Sequence, residues 1–277
     1  MKLIIDNGGS TLDWFILGDN IIKSNTGINI FDSYDQIISQ IKKSFSSLLP
    51  IEGKVDIDFY TTGLTDYSKN KMIKVFLNFF SVNSINIFSD MLAASRALFD
   101  NNNGIACILG TGSNCAYFDG KNNHEITYST GYLLGDEGSG YSLGNQLLRY
   151  YFAKKLPLDI HILLEKSINL TRSELLSSIY SADNPKFYIA SFAKFIKQNE
   201  SHPFLKNMIN DIFLHFLEEH PFQYPKFNCL NFGFVGSIAF HFNSHLEKIM
   251  EEKKLNYIIL EKPIKHLNKY YLNQLRH

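Results

Sequence analysis

The sequence predicts an α/β protein built from two similar halves. Short runs rich in β-branched residues alternate with amphipathic stretches of helical spacing along the 277 residues. One pattern also occurs twice, at Met1 to Leu17 and at Ile105 to Phe118: a strand enters a polar, glycine-bounded loop and a second strand returns. Because an internal repeat indicates duplicated units, we expect two related lobes that each place a loop on a shared cleft.

The length and charge of the chain narrow the classes of function. A chain of 277 residues suits two domains better than one. Lys plus Arg and Asp plus Glu each number 27, and no basic run is present, so we expect neither a nucleic acid nor a membrane as partner. The opening residues lack the apolar core of a signal peptide, which favours a cytoplasmic protein.

Three cysteines, Cys107, Cys115 and Cys229, stand in apolar contexts without the spacing of a zinc or iron–sulfur site. We interpret all three as buried thiols in a reducing compartment. The histidines at positions 161, 202, 215 and 220 also lack metal-ligand spacing, and we assign them no catalytic role.

The first half follows a regular alternation of strands and helices. The predicted strands lie at 1–5, 14–17, 55–60 and 85–88, and the predicted helices at 33–49, 71–80 and 91–99. The polar run at 101–104 is short and flexible, so we place the boundary between an N-terminal lobe (1–103) and a C-terminal lobe (104–277) there.

Asp90 stands at the end of one predicted strand and the start of the next helix. In this position an aspartate is often only a helix cap. It also lies where open α/β sheets bind ligands, and the positive end of the helix dipole keeps its carboxylate ionised. The second interpretation makes Asp90 a carboxylate that accepts a proton from a hydroxyl group.

In the second half, the glycine loop of Ile105 to Phe118 comes first. Gly110 and Gly112 allow consecutive N–H groups to face an anion, although such hairpins also occur for structural reasons alone. A second glycine-rich stretch, Gly131 to Gly140, contains the acidic pair Asp136 and Glu137 and suits recognition of a polyol better than a plain turn. The remaining predicted elements are helices at 141–155, 187–196 and 204–217, strands at 229–234 and 257–261, a glycine turn at 233–239, and a terminal helix that begins at Pro263.

Four motifs carry a resemblance to a known family. They are DNGGST at 6–11, GTGSN at 110–114, GDEGSG at 135–140 and VGSIA at 235–239. In this order they resemble the BadF/BadG/BcrA/BcrD-type ATPases and N-acetylglucosamine kinases, within the superfamily of actin, hexokinase and the heat-shock chaperone ATPases. The resemblance implies a duplicated ribonuclease H-like (actin-like ATPase) fold, with two lobes around a central cleft and a terminal helix that can pack back on the first lobe.

The resemblance also implies roles for particular residues. Asp6 would hold Mg²⁺ through water, and Asp90 would be the general base. The ATP phosphates would contact Asn7, Gly8, Gly9, Ser10, Thr11, Gly110, Thr111, Gly112 and Ser113, and the nucleoside would contact Gly236 and Ser237. The hydroxyls of a sugar acceptor would contact Thr111, Asn114 and Asp136.

The function implied is an ATP-dependent and Mg²⁺-dependent kinase for N-acetylglucosamine or a related hexosamine, phosphorylated at a primary hydroxyl. One alternative is an ATPase that activates a partner enzyme, although such activators bind an iron–sulfur cluster and this chain lacks a suitable set of cysteines. Another is a non-catalytic sensor of sugar or nucleotide, because many relatives have Lys or Thr where this chain has Thr11 and Leu12. A type III pantothenate kinase shares the opening loop, but GDEGSG argues against it.

The aromatic content permits a homodimer.

Overall fold

The chain folds into two compact units. The structure is a computed structural model that describes residues 1–19 and 21–275. One unit contains residues 1–102, 118–123 and the described residues from 262 onwards, and the other contains residues 103–117 and 124–261. The last segment of the chain is therefore part of the first unit.

Two five-stranded sheets form the framework of the described residues. The strands are β1 (Lys2–Asn7), β2 (Thr11–Ile16), β3 (Lys23–Thr26), β4 (Val55–Thr61), β5 (Val82–Ser89), β6 (Gly104–Leu109), β7 (Ser113–Phe118), β8 (Asn123–Glu125), β9 (Phe232–Val235) and β10 (Tyr257–Leu260). The first sheet has the order β3-β2-β1-β4-β5 and the second has the order β10-β9-β6-β7-β8. When the strands of each sheet are numbered 1 to 5 in chain order and the second sheet is read from the β8 end, both orders are 3-2-1-4-5. The predicted duplicated α/β fold is confirmed.

Twelve α-helices accompany the sheets in the described part of the chain. They are α1 (Tyr34–Ser44), α2 (Asp66–Leu77), α3 (Asp90–Phe99), α4 (Gly140–Phe152), α5 (Leu158–Ile168), α6 (Arg172–Tyr180), α7 (Pro185–Ala190), α8 (Ala193–Gln198), α9 (Pro203–Glu219), α10 (Ser237–His241), α11 (Asn243–Glu252) and α12 (Ile264–Gln274). Within the described ranges, none of them combines the length and the hydrophobicity that crossing a bilayer requires.

Helix α2 begins five residues before the predicted start. Thr65 caps it: the backbone N–H of Ser68 donates to the Thr65 hydroxyl, and the Thr65 backbone N–H donates to the Ser68 hydroxyl. This reciprocal pair satisfies two N–H groups that a helix start leaves without partners. The apolar spacing alone could not show this boundary, because the first turn of α2 is polar.

The first sheet is buried on both faces. Leu3 and Ile5 pack in one apolar cluster with residues of α1 and α2, whereas Ile4 packs in another with residues of α3 and α12. Since successive side chains of a strand point to opposite faces, a continuous apolar run such as that of β1 indicates a strand covered on both sides. The helices therefore fix the sheet and the loops at its edge.

The terminal helix α12 is attached to this sheet by a buried polar chain. The Tyr271 hydroxyl donates to Asp58 Oδ2 at 2.6 Å, so the Tyr60 hydroxyl, also at 2.6 Å, donates to Tyr271. Arg96 in turn donates to Tyr60 at 2.6 Å, and Lys2 Nζ lies 2.8 Å from Asp58 Oδ2. Burial raises the pKa of Tyr60 to about 12 and that of Tyr271 well above its usual range, so both hydroxyls remain protonated.

The cysteines differ from one another in exposure. Cys107 and Cys115 are buried as predicted, and burial raises the pKa of Cys115 to about 12. The prediction that Cys229 is buried is wrong: it is exposed, because residues Phe227–Cys229 form a 3₁₀ turn and strand β9 begins only at Phe232.

We predict that Tyr271→Phe lowers the free energy of unfolding by about 1–3 kcal/mol, because the buried Asp58 carboxylate loses a donor. Tyr67→Phe is the matched control, since the Tyr67 side chain is exposed, and its effect should stay within about 0.5 kcal/mol. Urea unfolding of both variants measures the difference. Equal effects of the two substitutions would contradict the role given to Tyr271.

Candidate functional site

The first glycine loop joins β1 to β2 and is anchored by Asn7. The Asn7 side-chain amide donates to Ile28 O at 2.8 Å and to Thr61 Oγ1 at 3.0 Å, and its oxygen accepts from Ile28 N at 2.8 Å. Both amide hydrogens are thus directed into the protein. The side chain of Asn7 fixes the position of the loop, and its predicted contact with a phosphate stays a prediction.

Glycines have different roles on the two sides of this loop. At Gly27, a Cβ atom would lie 2.8 Å from Gly8 O and 3.0 Å from Thr11 N, so packing against the loop requires glycine there. At Gly9, a Cβ atom would meet no described atom within 4 Å, and at Gly8 it would make only an ordinary contact. Folding of this unit does not demand glycine at positions 8 and 9. Their small size leaves the outer side of the loop open to a ligand such as a phosphate.

Three carboxylates lie near this loop, in the same unit. Asp6 and Asp13 are direct partners across β1 and β2, and both are buried. Asp90 begins α3 directly after β5, and its Oδ1 accepts from Met91 N at 2.9 Å. Asn7, Thr61 and Ser89 form one row across three parallel strands, so Asn7 and Ser89, the chain neighbours of Asp6 and Asp90, lie two strand spacings apart, roughly 10 Å. The structure therefore brings both predicted residues to the carboxyl edge of one sheet.

The surroundings of the Asp6 carboxyl group disfavour its ionised form. Burial, followed by the charges of Asp90 and Asp13, raises its pKa from 3.8 to about 7, whereas Lys262 acts in the opposite direction. A cation beside Asp6 would favour the ionised form.

These acids fit a magnesium ion bound partly by water. The described residues contain no group of three His, Cys, Asp or Glu side chains that could hold a metal by themselves. Mg²⁺ usually keeps several waters and binds one or two carboxylates together with substrate phosphates. Asp6, with Asp13 directly opposite it and Asp90 at the same edge of the sheet, matches this mode of binding better than a closed protein cage.

Asp13 connects the loop to a lysine that lies far away in sequence. Its Oδ2 accepts from the Thr11 hydroxyl at 3.4 Å and from Lys262 Nζ at 2.9 Å, and its Oδ1 lies 3.1 Å from the same ammonium. Ser24 donates to Asp13 as well. Lys262 was not predicted, because 249 residues separate it from Asp13 and no local pattern marks it.

The second glycine loop, residues 110–113, lies in the other unit and is organised by Asp136. Asp136 Oδ1 accepts from Ser113 N at 3.1 Å, and Oδ2 lies 2.8 Å from Lys186 Nζ. A Cβ atom on Gly112 would overlap Lys186 Nζ and lie 2.9 Å from Asp136 Oδ2, so a larger residue there would have to displace this ion pair. Asp136 thus contacts the loop directly, and Lys186, on α7, is a second cation that sequence reasoning missed.

The turn after β9 lies against the same loop. Gly236 has a φ of 114°, and a Cβ atom there would lie 2.8 Å from the carbonyl carbon of Leu109 and 3.2 Å from Gly110 N. The start of α4 also contacts the loop, because Gly140 N donates to Gly110 O at 2.8 Å. The predicted residues Gly236 and Gly110 are therefore neighbours, and Ser237 follows as the first residue of α10.

A small polar pocket adjoins the second loop. Its lining includes Asn114, Asp136 and Glu137, and its volume of about 20 Å³ holds roughly one water-sized group. His220 closes one side: Nε2 lies 3.0 Å from Glu137 Oε2, and Nδ1 lies 2.6 Å from Thr127 Oγ1. His220 was assigned no role from the sequence, because only the fold brings it beside the GDEGSG motif.

Several solved structures resemble this chain over nearly its whole length. No protein-family model and no curated protein matches the chain. Among solved structures, a protein of Porphyromonas gingivalis, provisionally named an N-acetylglucosamine kinase, superposes with a TM-score of 0.88 at 28% identity, over 99% of this chain and 100% of that one. A protein of Chromobacterium violaceum with the same provisional name gives a TM-score of 0.72 at 11% identity, over 97% and 98%. MreB 5 of Spiroplasma citri, solved with AMPPNP, gives a TM-score of 0.57 at 9% identity, over 99% of this chain and 96% of that one.

This chain has the actin-like ATPase fold. The duplicated sheets and the two units belong to that fold. The two more distant structures support the fold alone. The P. gingivalis structure is similar to this chain over its whole length.

We predict that Asp6→Asn stabilises the protein at neutral pH but not in acid. With a folded-state pKa of about 7 against 3.8, the folded chain keeps a proton between these pH values that the unfolded chain releases, so wild-type stability falls as pH rises through this window. The difference in free energy of unfolding between the variant and wild type should grow from pH 4 to pH 8, by at most about 4 kcal/mol.

Urea unfolding in the presence of a chelator, at several pH values, measures this gain. Asp183→Asn, at an exposed position, is the control and should follow wild type at each pH. If the free energies of unfolding of Asp6→Asn and wild type differed by the same amount at every pH, the result would show that Asp6 is ionised normally.

Proposed function

We propose that the chain is an ATP-dependent sugar kinase that phosphorylates a primary hydroxyl of N-acetylglucosamine or a related hexosamine. The observation that carries the proposal is the full-length likeness to the P. gingivalis protein provisionally named an N-acetylglucosamine kinase. The site residues of the two units support it, since phosphoryl transfer depends on positioning and charge stabilisation more than on covalent steps.

In the first unit, Asp90 would act as the general base. Its place at the start of α3 puts the carboxylate at the positive end of the helix dipole, where it would take the proton of the acceptor hydroxyl. Asp6 would hold Mg²⁺, which, when bound, neutralises charge on the phosphates. The backbone N–H groups of Gly8, Gly9, Ser10 and Thr11 would donate to phosphate oxygens.

In the second unit, Gly110, Thr111, Gly112 and Ser113 would line the phosphate site. The N–H groups of Gly110 and Ser113 donate to Gly112 O and Asp136 Oδ1. The contacts to phosphate would therefore come from the Gly112 N–H and the hydroxyls of Thr111 and Ser113. Gly236 and Ser237 would lie beside the nucleoside, next to this loop. The acceptor hydroxyls would be held by Thr111, Asn114 and Asp136. Of these, Asn114 and Asp136 line the small polar pocket described above, which would take a single hydroxyl group. A carboxylate has about four acceptor positions, so Asp136 can accept from a sugar while it holds the loop.

The alternative of an ATPase activator has less support. Its cluster would need exposed thiolates at a subunit interface, whereas burial raises the pKa of Cys107 and Cys115 and only Cys229 is exposed among the described cysteines.

The test of the proposal is ADP release with ATP, Mg²⁺ and a panel of hexoses and amino sugars. We expect release that depends on N-acetylglucosamine or a related amino sugar, with the product phosphorylated at its primary hydroxyl as seen by ³¹P NMR. The absence of sugar-dependent release across the whole panel would contradict the proposal.

We predict that Asp90→Asn lowers kcat by about 10²–10⁴-fold and leaves ATP affinity within about threefold by calorimetry. An asparagine oxygen can still accept from Met91 N, so folding should be unaffected. Asp66→Asn is the matched control, because Asp66 is likewise the first residue of a helix, α2, and is exposed. Near wild-type turnover of Asp90→Asn would remove Asp90 as the base.

A further inference from the structure

The two glycine loops lack positive side chains of their own. Neither residues 6–12 nor residues 109–114 contain a lysine or an arginine. Backbone N–H groups carry only partial charges, and the first loop lies close to three carboxylates that repel a phosphate. A polyphosphate ligand therefore needs cations from elsewhere in the chain.

In the first unit, Lys262 meets this need. Its ammonium contacts both oxygens of Asp13, and the Thr11 hydroxyl at the end of the loop contacts one of the same oxygens. The ammonium thus lies within two hydrogen-bond lengths of the loop. The side chain of Asp13 is 3% exposed and that of Lys262 is 31% exposed, so the carboxylate is buried while the cation still reaches the surface.

The second unit repeats this arrangement with different residues. Lys186 contacts Asp136, which also accepts from Ser113 N in the loop. Here the side chain of the carboxylate is 4% exposed and that of the lysine is 27% exposed. In both units a buried aspartate therefore contacts a glycine loop on one side and a partly exposed lysine on the other.

We propose that Lys262 and Lys186 bind phosphate oxygens at the two loops and that Asp13 and Asp136 act as the positioning residues that hold them. An ammonium has three N–H donors, so each lysine can contact its aspartate and a phosphate together. A lysine already fixed by a buried partner loses little further rotational freedom when the ligand binds. The ligand class is a polyphosphate chain, and its identification as ATP rests on the proposed function.

The experiment is calorimetric titration of the full chain with inorganic triphosphate, ATP and adenosine. We expect Lys262→Gln and Lys186→Gln each to weaken triphosphate and ATP binding about tenfold, with adenosine binding unchanged. The salt dependence of triphosphate binding should also decrease, because one ionic contact is lost. Lys269→Gln, on α12, and Lys194→Gln, on α8, are exposed controls and should bind all three ligands as wild type does.

Two further variants distinguish the loss of a phosphate contact from misfolding. Lys262→Arg keeps the charge and should keep most of the triphosphate affinity. The double variant Asp13→Asn with Lys262→Gln leaves no buried charge without a partner and does not alter the local net charge. Its affinity for triphosphate should nevertheless be lower than that of the wild-type chain, as in Lys262→Gln.

The proposal is overturned if the Gln variants match their controls, if adenosine and triphosphate binding fall together, if the double variant binds like wild type, or if the wild-type chain binds no triphosphate. A chain that binds triphosphate through these lysines but phosphorylates no sugar would uphold this inference and remove only the kinase function.

Discussion

The burial of Asp6 beside two further carboxylates is the constraint on which the site depends. The sheet imposes it: Asp13 is its direct partner on the neighbouring strand, and Asp90 follows β5 at the same edge. Lys262 acts in the opposite direction and favours the ionised form of Asp6. Such a cluster opposes folding at neutral pH, and a cation bound beside it would lower that cost.

Duplication of the fold is accompanied by duplication of a chemical arrangement. The two sheets have the same strand order, and in each unit a buried aspartate joins a glycine loop to a lysine. The lysines come from unrelated places, one before the terminal helix and one on α7. The arrangement is therefore a property of each finished unit and is not visible as a repeated sequence motif.

The features that could be predicted from the sequence are those that residues close together in the chain determine. The β1 and β6 hairpins, the helix start at Asp90 and the glycine loops were recognised because alternation of apolar residues, caps and glycines act locally. The start of α2 and the exposure of Cys229 were missed, since a polar capping box and a 3₁₀ turn interrupt the apolar pattern. Lys262, Lys186, His220 and Gly27 were missed for another reason: each acts through contacts that only the folded chain creates.

The most direct test of the electrostatic account is the proton balance of Mg²⁺ binding, measured by calorimetry at pH 7 in buffers of different ionisation enthalpy. Because Asp6, with a pKa of about 7, must lose its proton when a cation binds, the account predicts release of about half a proton per chain. It also predicts that Asp6→Asn abolishes this release. Heats that are identical in all buffers for the wild-type chain would contradict it.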